Sequence, residues 1–156
     1  MRERLYTGDH PDIAQSLNSL GVSYFRLGDV NKALEYKKKS FEMRERLYNG
    51  DHADIAKSLN NLGASYGRLG DDNKAVEYYN KSLEMFERLY TADHPDIAQS
   101  LNSLDVSFAR LMEKETAVEL FHKALEMRQR LFGDNHPDVI KTKNSLANVN
   151  SLCVLS

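Results

Sequence analysis

The sequence predicts an all-α fold, an α-α superhelix built from antiparallel helix pairs stacked as a solenoid. Two observations predict it. The 156-residue chain repeats itself with a period of 42 residues. Within each period, apolar and small residues recur at helical spacing in two stretches separated by turn signals.

The repeat governs everything else, because missing one misreads a whole fold. The segment from Met1 opens MRERLYTGDHPDIAQSLNSLG and the segment from Met43 opens MRERLYNGDHADIAKSLNNLG; about three-quarters of positions across the two periods are identical. A third copy begins at Met85 and a fourth, cut short, at Met127.

Taken in order, residues 1–6 match the tail of a pair's second helix. The first helix of the first pair begins near Pro11. Asp9 or His10 caps it, and proline suits the first turn, where its missing N–H has no intrahelical partner to lose. Asp12 places a negative charge where the helix dipole favours it. Ile13, Leu17, Leu20, Gly21 and Tyr24 form the inward face. Leu27-Gly28-Asp29 ends the helix, glycine accepting the left-handed cap conformation. The second helix begins near Asn31, turns Ala33, Leu34, Phe41, Leu47 and Tyr48 inward, and ends near Tyr48. Asn49-Gly50-Asp51-His52 leads into the next pair. The first helices are therefore expected at 11–27, 53–69, 95–111 and about 137–152, and the second at 31–48, 73–90 and 115–132. Neither helix of a pair buries its apolar face alone, whereas stacked pairs bury a continuous core. One solenoid domain, residues 1–156, is expected.

Composition narrows the function classes. A formal net charge of -2 gives no pull towards nucleic acid or membrane. No apolar run approaches the length that spans a bilayer, and Met1-Arg2-Glu3-Arg4-Leu5 lacks the apolar centre of a signal peptide. The single cysteine, Cys153, forms no internal disulfide, and a reducing, cytoplasmic setting is the simplest fit.

The pattern Leu17…Leu20-Gly21…Tyr24…Ala33, repeated as Leu59…Leu62-Gly63…Tyr66…Ala75, resembles the tetratricopeptide repeat, whose usual period is about 34 residues. The longer form, with His-Pro-Asp-Ile-Ala opening the first helix, is similar to that of kinesin light chains. His136-Pro137-Asp138-Val139 continues the likeness. Four features depart from it. Asp105 replaces Gly21 and Gly63 at a tight helix contact. Met112-Glu113 replaces a Gly-Asp turn. Asn150 takes an aromatic position. Lys37 stands where Tyr79 and Phe121 stand, and its stem is expected to snorkel.

The resemblance implies that one stripe of each first helix lines a concave groove that holds a peptide or protein. Helical geometry collects Gln15, Asn18, Ser19, Val22, Phe25 and Arg26 on that stripe. The equivalents are Lys57, Asn60, Asn61, Ala64, Gly67 and Arg68; then Gln99, Asn102, Ser103, Val106, Ala109 and Arg110; then Lys141, Asn144, Ser145 and Asn148. Asn18, Asn60, Asn102 and Asn144 form a ladder of amides able to pair with an extended peptide backbone. Arg26, Arg68 and Arg110, joined by Lys57 and Lys141, form a cationic row, and no Asp or Glu belongs to the stripe. Guanidinium groups pair well with carboxylates, so the expected ligand is a peptide segment bearing acidic residues. The alternative is a structural spacer or self-associating array within a larger protein, such as a cargo adaptor of the kinesin-light-chain kind or a regulatory receptor. Four of the six stripe positions differ between the first two copies, although most other positions are identical.

No enzyme, cofactor or metal is expected. The chain has no HExxH, CxxC, P-loop or GxGxxG. His10, His52, His94 and His136 recur once per period, too far apart to share one ion, and read as helix caps. Leu5 and Tyr6 at one end, and Leu146, Val149, Leu152 and Val154 at the other, lack a covering helix. The expectation is a piece of a longer array or pairing of ends between chains.

Overall fold

A computed structural model describes residues 8–154, with side chains through residue 148. Among them are seven α-helices: α1 (Pro11–Leu27), α2 (Val30–Leu47), α3 (Ala53–Arg68), α4 (Asp72–Leu89), α5 (Pro95–Arg110), α6 (Lys114–Phe132) and α7 (Pro137–Val154). No strand occurs among the described residues. Each helix packs on its successor, giving the pairs α1–α2, α3–α4 and α5–α6, with α7 against α6. The all-α superhelix of helix pairs is the architecture observed. Leu5, Tyr6, Val149, Leu152 and Val154 lie outside the residues whose side chains are described.

Local chemistry places the boundaries. At all four first helices a histidine, not the preceding aspartate, is the side-chain cap. Nδ1 of His10, His52, His94 and His136 accepts the backbone N–H of Asp12, Asp54, Asp96 and Asp138 at 3.1–3.2 Å. The same rings stack on the end of the preceding helix, His52 on Tyr48 and His94 on Tyr90 with centroids 3.7 and 3.6 Å apart. The neighbouring aspartates do a different job: Asp9, Asp51 and Asp93 take two-pronged hydrogen bonds from Arg46, Arg88 and Arg130, tying each pair's entry to its own far end. Asp29 and Asp71 cap α2 and α4, whereas Glu113 makes no such bond at α6. The turn before α6 also puts Met112 at φ +65° where Gly28 and Gly70 take +85° and +82°. A β-carbon disfavours that region, so the lost Gly-Asp turn leaves local strain.

The core departs from the expected one in two places. Leu20 is 44% exposed, whereas its counterparts Leu62 and Leu104 are 1% exposed. The latter lie inside the stack; among the described residues no helix precedes α1. Leu34, Phe41, Leu47 and Tyr48 are only half-buried. The buried stripe of α2 is instead Ala33, Lys37, Ser40 and Arg44. In α4 it is Ala75, Tyr79, Ser82 and Phe86, and in α6 Ala117, Phe121, Ala124 and Arg128. The small residues permit close approach, and Ser40 and Ser82 donate to the carbonyls of Ala14 and Ala56 on the facing helix. Burial of Phe86 or Phe121 contributes roughly 2–3 kcal/mol each.

Lys37 does not snorkel. It is 4% exposed, and its ammonium donates to the Asn61 carbonyl at 3.1 Å and Ser65 Oγ at 2.9 Å, over the Phe25 ring. Burial pulls its pKa down to about 8. A β-carbon at Gly21 would stand 2.7 Å from Lys37 Cγ, and one at Gly63 2.7 Å from Tyr79 Cε1. Glycine at these positions is therefore a packing requirement. Asp105 fills the third such position, is fully buried, and has no hydrogen-bond partner on either carboxyl oxygen. Burial pushes its pKa up to about 8, so the group is mostly the neutral acid at pH 7.

Candidate functional site

The stripe residues of α1, α3 and α5 lie along one side of the stack, and two cavities open on it. The upper one, about 270 Å³, is bounded by Phe25, Ala64, Gly67, Arg68, Tyr79, Asn102, Ser103, Val106, Ser107 and Arg110. Its room comes from small side chains: Gly67 stands where α1 carries Phe25. The Arg68 guanidinium lies 5.5 Å from the Phe25 ring centroid, a cation–π distance. No carboxylate pairs with Arg68 among the described residues. Burial pushes the Tyr79 hydroxyl in the cavity wall up to about 12, so it remains a neutral donor.

The lower cavity, about 220 Å³, is bounded by Lys57, Asn60, Asn61, Phe86, Asp96 and Gln99. The stripe itself carries no acid, but carboxylates reach two of its cations from outside it. Asp96 reaches Lys57 at 3.5 Å, and Asp72 reaches Arg110 at 3.5 Å. Both carboxylates come from helix starts a neighbouring period away, which a stripe drawn on one helix omits. Arg110 also donates to the Gly67 carbonyl at 3.2 Å.

The amide ladder divides as well. Asn18 Oδ1 accepts from Asn61 Nδ2 at 3.2 Å. Asn102 Oδ1 accepts from Arg128 Nη1 at 2.8 Å. Asn60 Oδ1 is buried with no partner. Two sequence differences accompany it: Ser103 stands in the next period where Asn61 meets Asn18, and the residue beneath the groove changes. Buried Arg44 donates to Gln15 Oε1, Ser58 Oγ and the Asp54 carbonyl. Buried Arg128 donates to Gln99, Asn102 and Thr142. At the equivalent place in α4 stands Phe86, which offers no donor. Lys57 replaces glutamine above it, which the loss of the buried guanidinium permits, since two cations there would repel. Gln15, Asn18, Gln99 and Asn102 are thus engaged within the fold, while Asn60 is left with an unused acceptor. Arg26, Lys141 and Asn144 are exposed on α1 and α7, away from both cavities.

Sequence reasoning missed Phe86, Asp96 and Tyr79 as cavity residues, and Asp72 as the partner of Arg110. One signal pointed to the first: Arg44, Phe86 and Arg128 vary in step with Gln15, Lys57 and Gln99. No helix among the described residues is long and apolar enough to cross a membrane.

Comparison with known proteins agrees with the fold. The tetratricopeptide repeat family matches residues 1–46, 12–88 and 54–104, and a further tetratricopeptide repeat pattern matches residues 97–138. Among solved structures, the Podosopora anserina kinesin light chain nearly identical TPR-like repeats superpose with a TM-score of 0.82 at 20% identity, over 90% of this chain and 67% of that one. BtubC (BKLC) from P. vanneervenii superposes with a TM-score of 0.85 at 27% identity, over 96% of this chain and 60% of that one. The apo form of RapI gives 0.82 at 18% identity, over 96% and 53%. The chain spans about two thirds or less of each of these structures. No curated protein matches the sequence significantly.

Proposed function

The chain belongs to the tetratricopeptide repeat family, in its kinesin-light-chain-like form, and on that premise we propose that it is a non-catalytic interaction module whose groove holds a peptide segment bearing acidic residues. Repeats of this family are in general protein-interaction scaffolds, and the finer reading concerns which residues do the holding. Residues 1–156 are taken as one solenoid domain of a reducing, cytoplasmic compartment.

The observation that carries the reading is the paired cavities on the α3 stripe. The upper one offers Arg68, a guanidinium with no carboxylate partner among the described residues, beside the Phe25 ring. The lower one offers Lys57, held only by Asp96 at 3.5 Å. An extended segment crossing both gives one carboxylate to Arg68 and a second to Lys57 in exchange for Asp96. Asn61, Gln99, Asn102 and Arg110 line the walls, and Gln15, Asn18, Arg26, Lys141 and Asn144 extend the stripe at either end. Cation–carboxylate contacts at an exposed groove weaken with salt.

The test is selection of peptides from a random library on the wild-type chain, followed by titration of Arg68→Glu combined with Lys57→Glu. The selected peptides should be rich in Asp and Glu, lose at least tenfold in affinity for the double variant, and bind more weakly as salt rises. Peptides without acid, or with unchanged affinity, would refute the groove. A second reading, a spacer or self-associating array, draws on Leu20 and Ile140, which are exposed on α1 and α7. Failure to select any groove peptide, together with concentration-dependent association of the wild type, would favour it.

A further inference from the structure

The largest of the three cavities described does not open on the groove. It holds about 400 Å³ between α2 and α4, with α3 as its floor. Ile55 and Leu59 form that floor, on the side of α3 opposite Asn60, Asn61 and Ala64, as the helical period requires. Phe41 and Tyr78 form one part of the wall and Met85 another. The next junction along the stack is filled differently. There Leu120 stands where Tyr78 stands and packs against both core clusters, as Leu83 does in the place of Phe41.

The rim is charged, and its balance is uneven. Lys81 is paired with Glu77 at 2.5 Å, and Arg88 with Asp51 at 2.6 Å. Both rim cations are thus already neutralised by carboxylates outside the crevice. Glu45 on α2 and Glu84 on α4 also line it, and neither has an ion pair within 4 Å among the described residues. Glu77 and Asp51 cancel the two rim cations from outside, so Glu45 and Glu84 are left facing only Lys38 of α2, whose charge also reaches Tyr78, a local excess of one negative charge over an apolar floor.

We propose that this crevice is a second docking surface, on the face opposite the groove, for a basic amphipathic helix. Such a helix lays a bulky apolar side chain between Phe41 and Met85 and sets its cations over Glu45 and Glu84. Cationic side chains on a helix reach well past its apolar stripe, which suits acids flanking an apolar floor. The two faces of the array then select opposite charges, an acidic segment in the groove and a basic helix behind it.

The probe is a synthetic amphipathic helix of leucine and lysine, with its leucine–glutamate counterpart as control, titrated by fluorescence anisotropy against the full chain. The leucine–lysine peptide should bind and the leucine–glutamate peptide should not. Glu45→Lys with Glu84→Lys should weaken binding at least tenfold. Glu42→Lys with Glu87→Lys changes the net charge equally on exposed positions outside the crevice, and should change affinity less than twofold. Arg68→Glu with Lys57→Glu should also leave it unchanged, which separates this surface from the groove. Equal losses in the first two double variants would mean attraction by bulk charge alone and overturn the proposal. So would no loss with Glu45→Lys and Glu84→Lys, or equal binding of the leucine–glutamate peptide.

Discussion

The middle helix pair and its two neighbours are built from nearly the same sequence, yet they use their groove faces differently. In the first and third pairs a buried arginine, Arg44 or Arg128, reaches up between helices and occupies the glutamine above it. In the middle pair Phe86 fills that volume without offering a hydrogen bond; Asn60 Oδ1 is unpartnered there and Lys57 is paired with Asp96. The same column of the repeat can thus hold the stack together through polar ties or through an apolar plug. The plug leaves Lys57 tied to a single carboxylate at the surface. The proposed groove is centred where the internal hydrogen bonding is least complete.

The largest effect is expected from breaking a polar tie. Arg128→Ala leaves Gln99, Asn102 and Thr142 without their donor in a site where Arg128 is 5% exposed. Unpaired buried polar groups and the lost packing cost about 3 kcal/mol together, readable as a shift in the urea midpoint. Arg128→Met, which keeps the volume, should recover part of the loss.

A smaller effect of opposite sign is expected at Asp105, where the third pair carries a carboxyl in place of glycine. Its folded pKa is raised to about 8 by burial, well above the roughly 3.9 of an unfolded aspartate. Between those values the folded state holds a proton that the unfolded state has released, so stability is full below about pH 4 and declines as pH rises towards 8. Asp105→Gly should raise stability by on the order of 2 kcal/mol at pH 7 and flatten the decline. Denaturation at pH 5 and pH 8 for both chains checks it; an identical pH slope in the variant would contradict the assignment.

How much of this was legible in the sequence follows from how local each feature is. The helix ends were, because caps and turn glycines act within a few residues: Pro11, His10 and Gly28 determine their own neighbourhood. The groove stripe was legible as a face of one helix. The buried cations were not. The repeat pattern predicts a snorkelling Lys37 and assigns Arg44 and Arg128 no place, because what makes their burial tolerable comes from elsewhere: the Asn61 carbonyl and Ser65 for Lys37, Gln15 and Ser58 for Arg44. Those partners are 14 to 29 residues away. The aromatic residues in the same columns, Tyr79, Phe121 and Phe86, were the available sign that these positions face inward. Asp72 and Asp96 were missed for a related reason, since each meets its cation from a neighbouring period.

The account's central claim is that the Arg-to-Phe exchange at position 86 makes the middle pair the docking point. Phe86→Arg with Lys57→Gln rebuilds the flanking arrangement there, offering the introduced guanidinium the introduced glutamine, Ser100 and Asn60 as acceptors. The direct test is the affinity of this variant for acidic peptides selected on the wild type, with thermal unfolding confirming an intact fold. A loss of tenfold or more is predicted, because Lys57 is gone; wild-type affinity in the folded variant would contradict the claim.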